Sequence, residues 1–249
     1  MEKIRLDVAG SERHTYRGMC AWFAHTPKLR EVNVVGRHSD PNRFLGWSLP
    51  FQLVSMKLRR LTIRDVELTD ETDGMMGHLR LPFLEILELI DCTNAAPFLR
   101  SLAKMCKQTN NTSLDTFTHS TQFMLGDVQE ASAELIRSAK GLTEIAVGAM
   151  AGGLMDLQCL EPNGESLTEL QLFSTEEDAV YYSAEDLELL THLCPNLDNL
   201  SIDPGDLSPI VNNLGVHEPF RLAGLDEYTQ KLVSIIQSTF GEIVHTDVS

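Results

Sequence analysis

Apolar residues return along this chain as a short ladder, best formed at Leu84-Glu85-Ile86-Leu87-Glu88-Leu89-Ile90-Asp91-Cys92. An anchor is followed by apolar residues three and five positions on. Anchors stand at Met1, Leu29, Leu58, Leu84, Leu114, Leu142, Leu167 and Leu197, at intervals of 28, 29, 26, 30, 28, 25 and 30 residues. The third and fifth positions are Ile4/Leu6, Val32/Val34, Leu61/Ile63, Leu87/Leu89, Phe117/His119, Ile145/Val147, Leu170/Leu172 and Leu200/Ile202. Of these 24 positions 23 are apolar in a chain that is 43% apolar, so the ladder is a repeat rather than a consequence of composition. Residues two apart in a strand share a face, so the third and fifth positions predict one short, inward-facing strand per repeat. No single repeat can bury its ladder alone; parallel stacking at about 4.8 Å joins the partial cores into one.

Between ladders the pattern shifts to helical spacing. Tyr16, Met19, Cys20 and Phe23 form one such face, and Phe98, Leu99, Leu102 and Cys106 another, with Pro97 at the helix start. Asp127-x-x-Glu130 resembles a capping box before Val128, Ala131, Leu135 and Ala139, and Ser183-x-x-Asp186 one before Leu187, Leu190 and Leu193. Residues 148–164, rich in Gly, Ala and Met, predict a short or distorted helix. After Ile202 the rhythm breaks at Pro204-Gly205 and Pro209, and Leu225, Tyr228, Leu232, Ile235, Ile236 and Phe240 mark a further helix. The expected organisation is an α/β solenoid over 1–202 with an atypical terminal repeat or cap over 203–249.

Residues at even ladder positions must face away from the core. In order they are Lys3/Arg5/Asp7, Glu31/Asn33/Val35, Arg60/Thr62/Arg64, Ile86/Glu88/Ile90, Thr116/Thr118/Ser120, Glu144/Ala146/Gly148, Glu169/Gln171/Phe173 and Asn199/Ser201/Asp203. The candidate partner-binding residues on this face are Arg5, Val35, Arg60, Arg64, Ile86, Glu88, Ile90 and Phe173. Ile86 and Ile90, apolar on a polar face and flanking Glu88, are its expected anchors. Arg5, Arg60 and Arg64 are expected to flank Glu31, as a cross-strand ion-pair cluster or as a patch for an anionic partner. His119 is the one polar residue at an inward position: a neutral, hydrogen-bonded core histidine, the sign of a one-residue slip, or a functional residue.

Charge and chemistry narrow the picture. The net charge is −16. Residues 1–83 hold 13 Lys and Arg against 10 Asp and Glu, a net +3, whereas 84–249 hold 7 against 26, a net −19. So acidic a chain repels a phosphate backbone, which argues against nucleic acid as partner. No apolar run is long enough to cross a membrane, and the first residues lack the apolar core of a secretory signal. Cys20, Cys92, Cys106, Cys159 and Cys194 are odd in number and never spaced C-x-x-C, which predicts reduced thiols and a cytoplasmic or nuclear setting, with no metal site. The motifs of a P-loop, a nucleophile elbow and a zinc protease are all missing, so no enzymatic activity, catalytic residue or cofactor is expected.

The ladders at Leu58, Leu84, Leu167 and Leu197 resemble intracellular leucine-rich-repeat proteins. Leu193-Cys194-Pro195-Asn196-Leu197-Asp198-Asn199-Leu200 is similar to the C-P-N-L-x-x-L junction of F-box/leucine-rich-repeat proteins, and the irregular returns are similar to those of fungal members. The resemblance implies a horseshoe with a concave parallel sheet, and a substrate-recognition role in an SCF-like ubiquitin ligase. The family's Asn or Cys eight residues after the anchor is matched only by Cys92, and residue 1 already lies in a ladder. The expectation is therefore a relative without its F-box, which would meet a Skp-type adaptor only through an upstream F-box. The other expectation is a stand-alone acidic inhibitor or scaffold of the ribonuclease-inhibitor type, whose acidic repeats attract a basic protein.

Overall fold

The computed structural model describes residues 3–8, 28–36, 57–66, 68, 81–109, 112–121, 126–149, 155–174, 182 and 184–202. All eight ladders form strands: β1 Lys3–Val8, β2 Glu31–Gly36, β3 Arg60–Arg64, β4 Ile86–Ile90, β5 Thr116–Thr121, β6 Glu144–Ala149, β7 Glu169–Ser174 and β8 Asn199–Ile202. They make a single open parallel sheet in the order β1 to β8. The register is constant from strand to strand. Ile4, Val32, Leu61, Leu87, Phe117, Ile145, Leu170 and Leu200 form one row, and Leu6, Val34, Ile63, Leu89, His119, Val147, Leu172 and Ile202 the next. A one-residue slip anywhere would have turned a full inward set to solvent, which is why burial holds the rows so strictly.

A recurrent hydrogen-bond device sets the entries of β3 to β8. The carbonyl of Arg30 accepts from the backbone N–H groups of both Arg59 and Arg60. The same fork recurs from Arg59 to Glu85 and Ile86, from Glu85 to Asp115 and Thr116, and from Asp115 to Thr143 and Glu144. It continues from Thr143 to Thr168 and Glu169, and from Thr168 to Asp198 and Asn199. One carbonyl with two lone pairs thus satisfies two donors per rung where the chain turns into the sheet. The strand exits are also specialised. Asp65 and Asp91, one residue past β3 and β4, take left-handed backbone angles (φ 54° and 51°) that Asp tolerates better than most residues. In the same row Gly36 lies so close to the Asp65 carbonyl that a Cβ would come within 1.9 Å of its oxygen, so only glycine fits there.

The helices lie against the inward face. Helix α1 spans Ala95–Thr109 and buries Phe98, Leu99, Leu102 and Cys106 as the periodicity predicts. Pro97 sits in its first turn, where the backbone N–H groups have no intrahelical partner and its missing donor is not felt. Helix α2 spans Gly126–Ser138; it starts ahead of the capping-box expectation, so Asp127 lies inside the first turn, at the positive end of the helix dipole. Helix α3 spans Ala184–Leu193, directly after Ser183. The expected short helix within 148–164 is a 3-10 helix at Leu157–Asn163, capped by Asp156, whose side chain accepts from the Gln158 N–H at 3.0 Å. Buried Asn163 ties this return to the rung before it, donating to the Ile136 carbonyl at 2.8 Å and accepting from the Leu142 N–H at 3.1 Å. The helix expected at 16–23 and the segment 203–249 lie outside the described residues.

Cys92, Cys106, Cys159 and Cys194 are free and buried. Burial pushes their thiols up, to about 12 at Cys92 and Cys159 and about 11 at Cys106 and Cys194, so they stay protonated at neutral pH. The Cys92 thiol points to the Ile63 carbonyl of the preceding strand at 3.4 Å. Among the described residues no helix is long and apolar enough to cross a membrane.

Candidate functional site: the outer face of the sheet

The face opposite the helices carries three further rows. The first runs Lys3, Glu31, Arg60, Ile86, Thr116, Glu144, Glu169 and Asn199; the second runs Arg5, Asn33, Thr62, Glu88, Thr118, Ala146, Gln171 and Ser201. The third runs Asp7, Val35, Arg64, Ile90, Ser120, Gly148 and Phe173. The register thereby brings Arg60, Arg64, Ile86, Glu88 and Ile90 together on two adjacent strands. Val35 lies beside Arg64 on β2, while Arg5 is two strands from Thr62 in its own row. Phe173 is three strands from Ile90, and its side chain lies outside the described residues. Ile86 and Ile90 are half-buried rather than openly exposed, because their neighbours stand tightly on either side: Arg60 and Thr116 flank Ile86, and Arg64 and Ser120 flank Ile90.

The charged residues pair differently from the sequence expectation. Glu31 is engaged by Lys3 at 3.1 Å rather than by a trio of arginines. Arg60 stands opposite Glu31 in the register, yet its guanidinium reaches diagonally to Glu88, with Nη2 3.1 Å from Oε1 and Nε 3.4 Å from Oε2. Thr62 also donates its hydroxyl to Glu88. Burial pushes the Glu88 carboxyl up, but the hydrogen bonds from Arg60 and Thr62 and the charges of Arg60 and Arg64 outweigh it, leaving Glu88 below the ordinary carboxylate range. The hydrogen bond to Glu88 correspondingly raises Arg60. Thr62 is itself buried although it faces outward, because the Arg60–Glu88 pair closes over it. A threonine between two charged side chains in sequence gives no hint of this; the strand register creates it.

A double-mutant cycle on Arg60→Ala and Glu88→Ala should return a coupling of roughly 0.5–1 kcal/mol, since one partner remains substantially open to solvent. The coupling should shrink as salt is raised, and a salt-independent value of zero would show that the two groups do not pair.

At the entry edge of the same two strands Arg59 grips Glu85 through two nitrogens, at 2.8 Å (Nε–Oε1) and 2.7 Å (Nη2–Oε2). Beyond β4 the outer face becomes small and hydroxylated: Thr116, Thr118 and Ser120, then Ala146 and Gly148. Gly148 is buried, and a Cβ there would lie 3.1 Å from the Ser120 hydroxyl, so the surface between β5 and β6 is closed without any large side chain. Glu144 and Glu169 follow, holding the Thr116 hydroxyl at 3.2 Å and the Gln171 amide at 2.6 Å respectively.

His119 belongs to the core. It is fully buried, aligned with Leu89 and Val147, and its Nδ1 lies 2.8 Å from the Ser132 hydroxyl on α2. No slip has occurred. The Ser132 hydroxyl gives its one proton to the Val128 carbonyl at 3.0 Å, so Nδ1–H must donate to Ser132. Nε2 is then a bare lone pair, and it is buried without a hydrogen-bond partner. Ser132 was legible as a polar residue on the apolar face of α2, although nothing local paired it with His119. Among the described residues, no group of three His, Cys, Asp or Glu side chains could hold a metal ion.

Compared with known proteins, the chain matches no family model and no curated protein.

Proposed function

We propose that this chain is a leucine-rich-repeat solenoid of the F-box/leucine-rich-repeat type, acting as a non-catalytic protein-interaction module whose outer sheet face captures a protein partner. The observation that carries the reading is the constant register, which sets half-buried Ile86 and Ile90 around an anchored Glu88 in a surface that is otherwise polar. Affinity in such a surface comes from a few apolar side chains that bury fully on contact, while fixed charges set orientation. The role is that of a substrate receptor of an SCF-like ubiquitin ligase, and a Skp-type adaptor is a partner only if an F-box stands upstream of these ladders. Buried free thiols support a reducing compartment, cytoplasm or nucleus.

Changing Ile86 and Ile90 together to Asp tests the surface. The fold should persist by circular dichroism, since both side chains stand on the outer face, while crosslinked partners recovered from cells should fall at least tenfold relative to wild type. Unchanged partner recovery would sink the reading.

A second reading, a stand-alone acidic inhibitor or scaffold binding a basic protein, is favoured by the net −19 carried by residues 84–249. It predicts association that weakens steeply between low and physiological ionic strength. A partner that binds equally at both would exclude it.

A further inference from the structure

Internal pairing on the outer face leaves a residual charge pattern. Lys3 neutralises Glu31 and Arg60 neutralises Glu88. Arg64 on β3 is exposed and forms no hydrogen bond or salt bridge among the described residues. Among the described residues, Glu144 on β6 and Glu169 on β7 accept hydrogen bonds only from neutral partners, Thr116 and Gln171. Ile90 stands directly beside Arg64 in the register, and the low surface of Thr118, Ser120, Ala146 and Gly148 separates it from the two glutamates. Positive charge, apolar anchor, shallow neutral floor and negative charge thus follow one another along a diagonal of the sheet.

We infer that this face recognises a polypeptide segment that carries an acidic group, then an apolar side chain, then a basic group, laid from Arg64 over Ile90 to Glu144. The inference rests on the reading that the outer face binds protein, and it specifies the partner's chemistry. Three strand spacings and four residues along the strands separate Arg64 from Glu144, about 20 Å on the diagonal. An extended segment covers that distance in about six residues. A uniformly basic segment meets Arg64 as a like charge, and a uniformly acidic one meets Glu144 and Glu169, so order along the segment becomes the basis of selection.

Panning a random twelve-residue phage-displayed peptide library against the intact chain tests this. Wild type should enrich peptides with an acidic residue and a basic residue on opposite sides of an apolar one. Arg64→Glu should weaken the selected peptides at least tenfold and enrich basic peptides instead. The double change Glu144→Lys and Glu169→Lys should enrich acidic ones. Enrichment of purely basic peptides by wild type, or identical selections by wild type and R64E, would overturn the inference. So would a concentration-dependent dimer that R64E dissociates, since the occupant would then be a second copy. If I86D/I90D abolishes all enrichment while the charge changes do nothing, only the charge order fails. If I86D/I90D enriches the same peptides as wild type, the face itself is not the binding surface.

Discussion

Replacing Leu87 by alanine should lower the unfolding free energy by about 2–5 kcal/mol, the range for emptying a well-packed leucine site. Its immediate neighbour Ile86, truncated in the same way, should lose only about 1 kcal/mol, since half-burial forfeits about half the transfer free energy of a full one. The contrast follows from the strand period alone: Leu87 is fully buried between Leu61 and Phe117 of the adjoining strands, whereas Ile86 looks out beside Arg60. Chemical denaturation of both variants measures the difference. Equal losses would mean that the two faces of β4 are not distinguished by burial, and the register as described would be wrong. Leu87 also stands within a stack of eight inward residues, so the cavity would be walled by side chains fixed in neighbouring rungs and could collapse little.

The second large effect depends on pH. Burial holds His119 at about 4, against an ordinary value near 6.5, because the inward site offers its ring one serine and no compensating charge. The unfolded chain therefore takes up a proton before the folded one does. Stability from this site is fully present above pH about 6.5 and is lost progressively as pH falls toward 4, by up to about 3 kcal/mol. Glu88, depressed in the folded state, adds loss of the same sign at more acidic pH. Unfolding midpoints in urea at pH 7.5, 6 and 5 should fall steadily for wild type. His119→Leu should flatten that part of the dependence, as it removes the titrating group and makes the inward position apolar like its neighbours in the row. A His119→Leu profile parallel to wild type between pH 7.5 and 5 would show that the loss arises elsewhere.

How far the candidate site could be read in advance differs from residue to residue. The facing of Ile86, Glu88 and Ile90 was legible because strand alternation is a local property, and the repeat fixed its phase eight times over. The partner of Arg60 was not. The ladder phase placed Arg60 beside Glu31, its direct neighbour in the register, and only side-chain reach and the Thr62 hydroxyl decided for the diagonal Glu88. The half-burial of Ile86 and Ile90 also depends on how closely the neighbouring strands stand, which no pattern within β4 contains.

The sequence by itself determined the rungs: eight strands, their inward residues, and helices in the returns that carry Phe98–Cys106, Val128–Ala139 and Leu187–Leu193, though not where those helices begin and end. Hydrophobic periodicity encodes these because burying one face requires the same spacing wherever it occurs. Only the tertiary structure decided the pairings that run between rungs: Arg60 to Glu88, His119 to Ser132, Asn163 to Ile136 and Leu142, and the forked carbonyls at the entries of β3 to β8. Those contacts join residues one repeat apart, or strand to helix, through directional hydrogen bonds. Their geometry exists only once the hydrophobic rows have stacked.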